Sequence, residues 1–315
     1  MTDAPPPDVH VDAALVRRLV AEQHPDLVGP GAVAPATVEL VANGWDNVIF
    51  RLGDRYAVRM PRRELGAQLI ERELRWLPEL APALPVPVPA PVRRGAPAAG
   101  YPYAWSIVPW FEGEEAASVD RASRGPSAAA LAAFVGALGA PAPAGAPRSP
   151  FRGVPLADRD AGMRERLSSP ELAAALPDAT MAELAAVWAA AVAAPVHDAA
   201  PVWVHGDLHP ANLLLRGASD SGGPPGALAA VLDFGDLTAG DPATDLATAW
   251  LTFDDAGRAE FRGAVDAAGR TDAATWARAR GWALVLAVAI LTTTGAGGRL
   301  GRMATETIPE VLSDP

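Results

Sequence analysis

From residue 204 the chain reads VHGDLHPANLLL, which sets His205, Asp207, His209 and Asn212 between Trp203 and the apolar run Leu213–Leu215. Fully burying each of those leucines returns roughly 1.5–3 kcal/mol, and an unpaired buried carboxylate costs more than one of them returns. Stability does not account for the polar residues, so they either cap a turn or face a ligand. Asp207 and Asn212 are five positions apart, and Asp233 follows in LDFGD, 232–236. Two carboxylates and an amide oxygen form an all-oxygen set suited to Mg2+, which takes few protein ligands and completes its shell with water and phosphate oxygens. Phosphoryl transfer needs that set together with one carboxylate beside the attacking hydroxyl. Asparagine occurs only at 43, 47 and 212, so its presence at this offset is informative.

The elements that must position these residues follow from periodicity. Leu213–Leu215 and Ala229 to Leu232 are short apolar runs separated by RGASDSGGPPGAL, whose Gly, Ser and Pro predict an exposed hairpin loop. The hairpin brings the two polar clusters to one end. Earlier in the chain, residues 11–23 carry apolar side chains at helical spacing. Thr37 to Ala42, Asn47 to Leu52 and Arg55 to Met60 then alternate with period two, joined by NGWD and by Gly53-Asp54, and read as an antiparallel meander. Residues 64–80 return to helical period and stop near prolines. The stretch 81–92, APALPVPVPAPV, is too proline-dense for a central strand and reads as an extended connector. Tyr101 to Val108 closes the sheet, and beyond Gly113 the chain is alanine-rich helix with a loop at 141–150. Strands first and helices after predict an α+β protein with a small sheet lobe and a larger helical lobe.

At 315 residues the chain fits two lobes of ordinary size. Twenty-six basic against thirty-seven acidic residues give a net charge of −11, which argues against nucleic acid as a partner and suits a cationic small substrate. There is no cysteine, which excludes disulfides and thiolate metal sites and fits a reducing cytoplasm. The N-terminus has no apolar core and is not a secretion signal. The most apolar run, Trp282 to Leu291, is about half of the roughly 20 residues of a membrane span, so it reads as a buried helix, with no membrane partner. Every basic side chain is arginine, and no lysine occurs.

HGDLHPANLLL, then DFGD, then GDPATDLA together resemble the aminoglycoside phosphotransferase family, small-molecule kinases built on the protein-kinase fold. The resemblance runs from about Val38 to Asp245. The three motifs are specific for the superfamily and poorly specific for substrate, since choline, fructosamine, homoserine, macrolide and peptide-antibiotic kinases are similar too. It implies a two-lobed protein-kinase-like fold: a nucleotide-binding lobe with its leading helix over 1–108, a hinge at 109–113, and a helical lobe with catalytic loop, metal loop and substrate pocket over 114–315. It implies Asp207 as catalytic base, His205 as a brace of the catalytic loop, and Asn212 and Asp233 as Mg2+ ligands. His209 lies in the loop without an assigned role. Asp241-Pro242 starts a helix in the manner of a cap, and the resemblance adds that Asp241 ties down the catalytic loop, with Asp236 and Asp245 in support.

On the nucleotide side, the resemblance implies a basic residue on the strand YAVRMP and a glutamate on the next helix. These are Arg59, where protein kinases carry lysine, and Glu73, with Glu71 the alternative. Guanidinium stays charged and binds phosphate as a planar fork, but it is bulkier than ammonium. NGWDN, 43–47, stands where a loop covers the phosphates, with Gly44 allowing close backbone approach and Asn47 touching phosphate, although it lacks GxGxxG. By alignment to the family hinge, Pro109 offers adenine its carbonyl and Phe111 its N–H. Glu112, Glu114, Glu115, Asp254 and Asp255 are candidates to attract a polycation, and His24 and His197 read as structural. The expected function is transfer of the γ-phosphate of ATP or GTP to a hydroxyl of a small molecule, with antibiotics such as aminoglycosides or macrolides among the acceptors. The alternatives are a metabolic kinase for a sugar, choline-like or amino-alcohol substrate and a nucleotide-binding pseudokinase. The oligomeric state is expected to be monomer or homodimer.

Overall fold

A computed structural model describes residues 6–27, 37–176, 181–218 and 223–314. The chain divides into two compact units, one of Met1–Pro82 and Val88–Phe111, the other of Ala83–Pro87 and Glu112–Pro315.

In the first unit, helix α1 (Ala13–Gln23) starts at Asp12, whose carboxylate accepts the Leu15 N–H at 2.8 Å. Strands β1 (Val38–Asn43), β2 (Asn47–Leu52) and β3 (Tyr56–Pro61) form the expected meander. Helix α2 runs over Glu64–Leu80 and ends at the proline stretch. The next strands are β4 (Arg93–Gly95) and β5 (Trp105–Pro109). The sheet order is β1-β2-β3-β5-β4, so β5 does not close the sheet as expected from sequence. Its far edge is β4, whose Arg-Arg-Gly carries no strand signal. Gly95 is there because the Trp105 indole lies over it: a Cβ would fall 1.8 Å from an indole carbon. Val16, Leu19 and Val20 of α1 pack with Val48, Phe50, Leu52, Val58, Trp105 and Ile107 in one core.

The second unit is mainly helical. In chain order it comprises β6 (Glu114–Glu115), α3 (Ala128–Leu138), α4 (Asp160–Leu167), α5 (Pro170–Ala175), α6 (Met181–Ala193), β7 (Val202–Val204), β8 (Leu213–Leu215), β9 (Leu228–Val231), β10 (Thr238–Gly240), α7 (Ala243–Leu246), α8 (Thr248–Thr252), α9 (Asp255–Ala267), α10 (Ala273–Thr294) and α11 (Gly298–Ser313). The run Trp282 to Leu291 lies in α10, which packs against α5, α6, α7 and α11. α10 is long and apolar enough to cross a membrane by length and composition, yet 72% of its apolar window is buried within the protein.

Two small sheets carry the polar loops. One has the order β6-β8-β9 and the other pairs β7 with β10, both antiparallel. The segment 205–212 leaves β7 and enters β8, while 232–237 leaves β9 and enters β10. Both connections therefore run between the same two sheets and lie side by side. The β8–β9 hairpin expected from sequence is present, and part of its loop, 219–222, lies outside the described residues. The two three-residue strands β7 and β10 were not expected.

Candidate active site

The connection from β7 to β8 is held mainly from within. Asp245, 2% exposed, accepts the backbone N–H groups of His205 at 2.6 Å and Gly206 at 2.9 Å. Burial pushes the Asp245 carboxyl up, against the opposing effects of His205 and these two N–H groups. Gly206 has φ +85°, and a Cβ there would lie 2.6 Å from the Asp236 carbonyl oxygen, so only glycine fits. The His205 ring is fully buried and meets the Phe234 ring at a tilt of 54°, with centroids 4.6 Å apart. Its Nδ1 receives the Asp207 N–H at 3.3 Å and its Nε2 lies 2.9 Å from the Leu232 carbonyl, so the tautomer protonated at Nε2 satisfies both contacts. With both nitrogens engaged, His205 joins the two connections and does not face a ligand. The Leu232 N–H donates to the Asn212 carbonyl at 2.8 Å and adds a second link.

Asp207 is partly exposed and meets three side chains. His209 Nε2 lies 3.2 Å from Oδ2, Asn212 Nδ2 lies 3.4 Å from Oδ2, and Arg152 Nη2 lies 3.4 Å from Oδ1. Burial favours the neutral acid, but His209, its hydrogen bond and Arg152 outweigh it and hold the Asp207 carboxyl below the usual carboxylate range. Burial likewise opposes charge on His209, yet Asp207 and Asp233 raise its imidazole above the ordinary histidine value, against Arg152.

Asn212 also donates its Nδ2 to the Asp207 backbone carbonyl at 2.8 Å, so its amide oxygen is the atom that could take a cation. Asp233 has φ +59°, the one non-glycine residue with positive φ among those described, in a region that aspartate tolerates better than most. Its side chain is exposed while Phe234 beside it is fully buried. One carboxylate and one amide oxygen on neighbouring connections fit a hard cation that draws its other ligands from phosphate and water. Among the described residues no group of three or more His, Cys, Asp or Glu could hold a metal ion.

One residue beside Asp207 escaped sequence reasoning. Arg152 stands 55 positions before Asp207 in a loop with no motif of its own. The loop is pinned: Ser149 N–H donates to Thr238 Oγ1 at 2.8 Å, Gly153 N–H to Thr244 Oγ1 at 3.2 Å, and Ala239 N–H to the Pro147 carbonyl at 2.9 Å. Gly153 and Gly240 touch backbone to backbone, since a Cβ on Gly240 would lie 2.4 Å from the Gly153 oxygen. Asp245, expected only in support, corrects a further expectation. Asp241 does not hold the catalytic loop: its Oδ1 caps α7 at the Ala243 N–H (3.0 Å) and its carboxylate pairs with buried Arg278 at 2.7 Å. The task expected of Asp241 belongs to Asp245, four residues on, whose side chain lies in the interior.

In the first unit, Arg59 and Glu73 form a buried ion pair, 5% and 1% exposed. Glu73 shares the buried face of α2 with Gly66, Ile70 and Leu77, whereas Glu71 lies outside and pairs with Arg94 at 2.7 Å. Gly44 N–H donates to the Asn47 carbonyl at 2.9 Å. The turn is fastened by Arg62, which donates to Asn43 Oδ1 and the Gly44 carbonyl, both at 2.9 Å, and by Arg63, 2.6 Å from Asp46. The Asn47 side-chain oxygen is buried without a partner. Pro109 ends β5 opposite Tyr56, and Phe111 is half-buried at the end of the unit.

Of the acidic candidates, Asp254 caps α9 and Asp255 pairs with Arg258, so both serve a helix start. Glu115 pairs with Arg299, and Glu112 and Glu114 are exposed. His24 packs edge-on to Trp105 and His197 lies 3.3 Å from the Ala200 carbonyl, as structural residues. A cavity of about 440 Å³ lined by Arg121, Arg124, Arg302 and Glu306 contains none of the expected site residues.

Comparison with solved structures shows a kinase-like fold. The GDP complex of aminoglycoside 2'-phosphotransferase-IIIa is 18% identical, with 96% of this chain and 99% of that one covered and a TM-score of 0.66. The gentamicin complex of APH(2")-IIa is 17% identical, covers 98% of each chain and has a TM-score of 0.58. Macrolide 2'-phosphotransferase MphH from Brachybacterium faecium is 21% identical, with 95% and 99% covered and a TM-score of 0.58. Among curated proteins none matches in sequence. The sequence model of the APH phosphotransferase enzyme family, however, matches residues 37–282. A motif trio, the loops it builds and a match over most of the chain agree, and the protein is a small-molecule kinase belonging to the APH phosphotransferase family.

Proposed function

We propose that the protein is a cytoplasmic, Mg2+-dependent enzyme that moves the γ-phosphoryl group of ATP or GTP to a hydroxyl of a small molecule, with antibiotics of the aminoglycoside or macrolide kind among the candidate acceptors. The observation that carries this reading is the coupling of Asp207 to Asn212, whose amide nitrogen bonds the base's own carbonyl and thereby orients the amide oxygen. Asp207 takes the proton of the acceptor hydroxyl as its oxygen bonds to phosphorus and the nucleoside diphosphate leaves. Holding the Asp207 carboxyl low keeps it ionised and ready to accept a hydrogen bond throughout the neutral range. Asn212 and Asp233 would hold Mg2+, which when bound offsets phosphate charge. Arg59, oriented by Glu73, contributes a fixed cation for the α and β phosphates in place of lysine. Gly44 and Asn47 approach the phosphates, and Pro109 and Phe111 offer backbone groups to the base. The nucleotide complexes among the similar structures support a nucleotide donor, and the cysteine-free chain suits a reducing compartment.

The test is Asp207→Asn. It should retain nucleotide binding by calorimetry and lose turnover by about 10²–10⁴-fold. Undiminished phosphate transfer would remove Asp207 from this role.

A further inference from the structure

Two arginines of the second unit meet aspartates near the polar loops, and they are satisfied to different degrees. Arg278 uses all three nitrogens: Nε and Nη2 reach Asp241 at 2.7 and 3.2 Å, and Nη1 donates to the Pro195 carbonyl at 2.6 Å. Arg152 uses one. Its Nη2 lies 3.4 Å from Asp207 Oδ1 and 3.8 Å from Asp236 Oδ2, while its Nε is buried without a partner. A buried N–H left unpaired costs about as much as a lost hydrogen bond, and the pinned loop prevents Arg152 from relaxing away from the site.

The two sides of Asp207 assign the direction. The Asn212 amide nitrogen and His209 both approach Oδ2, so on the reading above, with Asn212 as a cation ligand, the cation lies toward that oxygen. Arg152 stands at Oδ1, the side left for the acceptor. Arg159 adds to the local positive charge; it lies over the exposed ring of Phe151 at 5.3 Å, and its Nε too is buried without a partner. Burial, together with Arg152 and Arg166, pushes Arg159 below the ordinary guanidinium range. The net charge of −11 favours cations at long range, but the group in contact with the base is a guanidinium.

Resting on the phosphotransferase reading above, we propose that Arg152 is a specificity residue whose partly exposed guanidinium receives a carboxylate of the acceptor close to its reacting hydroxyl, so that among the acceptors left open above a hydroxy acid is preferred to a polycation. The carboxylate takes the guanidinium as a planar partner, and the long contact to Oδ1 gives way to the acceptor hydroxyl. Binding of the correct acceptor thus releases the base on the side where it is needed.

The experiment uses matched acceptors that differ in one group: glucuronic acid, glucose and glucosamine, and glyceric acid, glycerol and 2-amino-1,3-propanediol. Phosphate transfer from Mg-ATP and Mg-GTP is measured for the wild type, Arg152→Lys and Arg152→Met, with unfolding midpoints to confirm folding. The expected result is a carboxylate preference of about ten- to a hundredfold in kcat/KM, kept in order by Arg152→Lys, abolished by Arg152→Met, with nucleotide KM unchanged throughout. Preference for the amine or neutral member, a carboxylate preference that survives Arg152→Met, or no transfer to either acid by an enzyme that binds Mg-nucleotide overturns the proposal. Failure to bind either nucleotide overturns the phosphotransferase reading itself, and this one with it.

Discussion

The connection 205–212 and the turn Asn43 to Asn47 both carry polar residues between apolar strands, yet they are held in different ways. The first is fixed by a buried carboxylate 40 positions downstream, which accepts two backbone N–H groups. The second is fixed by the arginines at its own strand end, Arg62 and Arg63, of which Arg63 is partly exposed. A buried acceptor has no competing water, so its removal leaves unsatisfied donors. A partly exposed guanidinium can be replaced by solvent. The connection 205–212 is therefore held mainly from the interior, whereas the turn is held by one buried arginine, Arg62, and one that solvent can replace, Arg63.

Substitutions in the two loops sharpen this contrast. Asp245→Ala strands the His205 and Gly206 N–H groups and should cost about 2–5 kcal/mol, read from denaturant unfolding, together with a loss of turnover. A smaller effect is expected for Gly206→Ala, about 1–3 kcal/mol from the forced positive φ, while Gly44→Ala, whose new Cβ meets only the Asn47 oxygen at 3.3 Å, should change stability by less than about 1 kcal/mol. Equal costs at the two glycines would break the comparison.

Next comes pH. The His209 pKa is raised in the folded protein, so its pairing with Asp207 is fully present below the unfolded histidine value of about 6.5 and is lost as pH rises through the raised folded value. Asp207 has the opposite sign: its contribution is present above the unfolded carboxylate pKa of about 3.9 and fades only as pH falls through the depressed folded value. Thermal unfolding should show wild-type stability declining above about pH 6.5 relative to His209→Gln, and parallel profiles for the two proteins would refute the pairing. The smallest change is expected of Arg63→Ala, a loss of about 0.2–1 kcal/mol that added salt should mask.

What the sequence revealed depended on how local each signal was. The bounds of α2, the meander and the β8–β9 hairpin rest on periodicity and turn residues within one segment, and they were legible. Glu73 and Glu71 stayed alternatives in the sequence, and the structure separates them by putting Glu73 on the buried face of α2 with Ile70 and Leu77. β4 was hidden because two arginines and a glycine become a strand only by pairing with β5. The aspartates show the same limit. Asp241 has the local grammar of a cap, Asp followed by Pro, and it does cap, while the long-range anchor is Asp245 inside a short helix. Arg152 carried no signal, since its meaning comes from a partner 55 positions away.

The backbone contact between Gly153 and Gly240 bears on how this enzyme's chemistry can diversify. Neither position admits even a methyl group without moving a neighbouring main chain, so the loop holding Arg152 has little room to drift by gradual substitution. On the proposal made for Arg152, a change of acceptor would come from exchanging the side chain at 152 and not from shifting the loop that carries it.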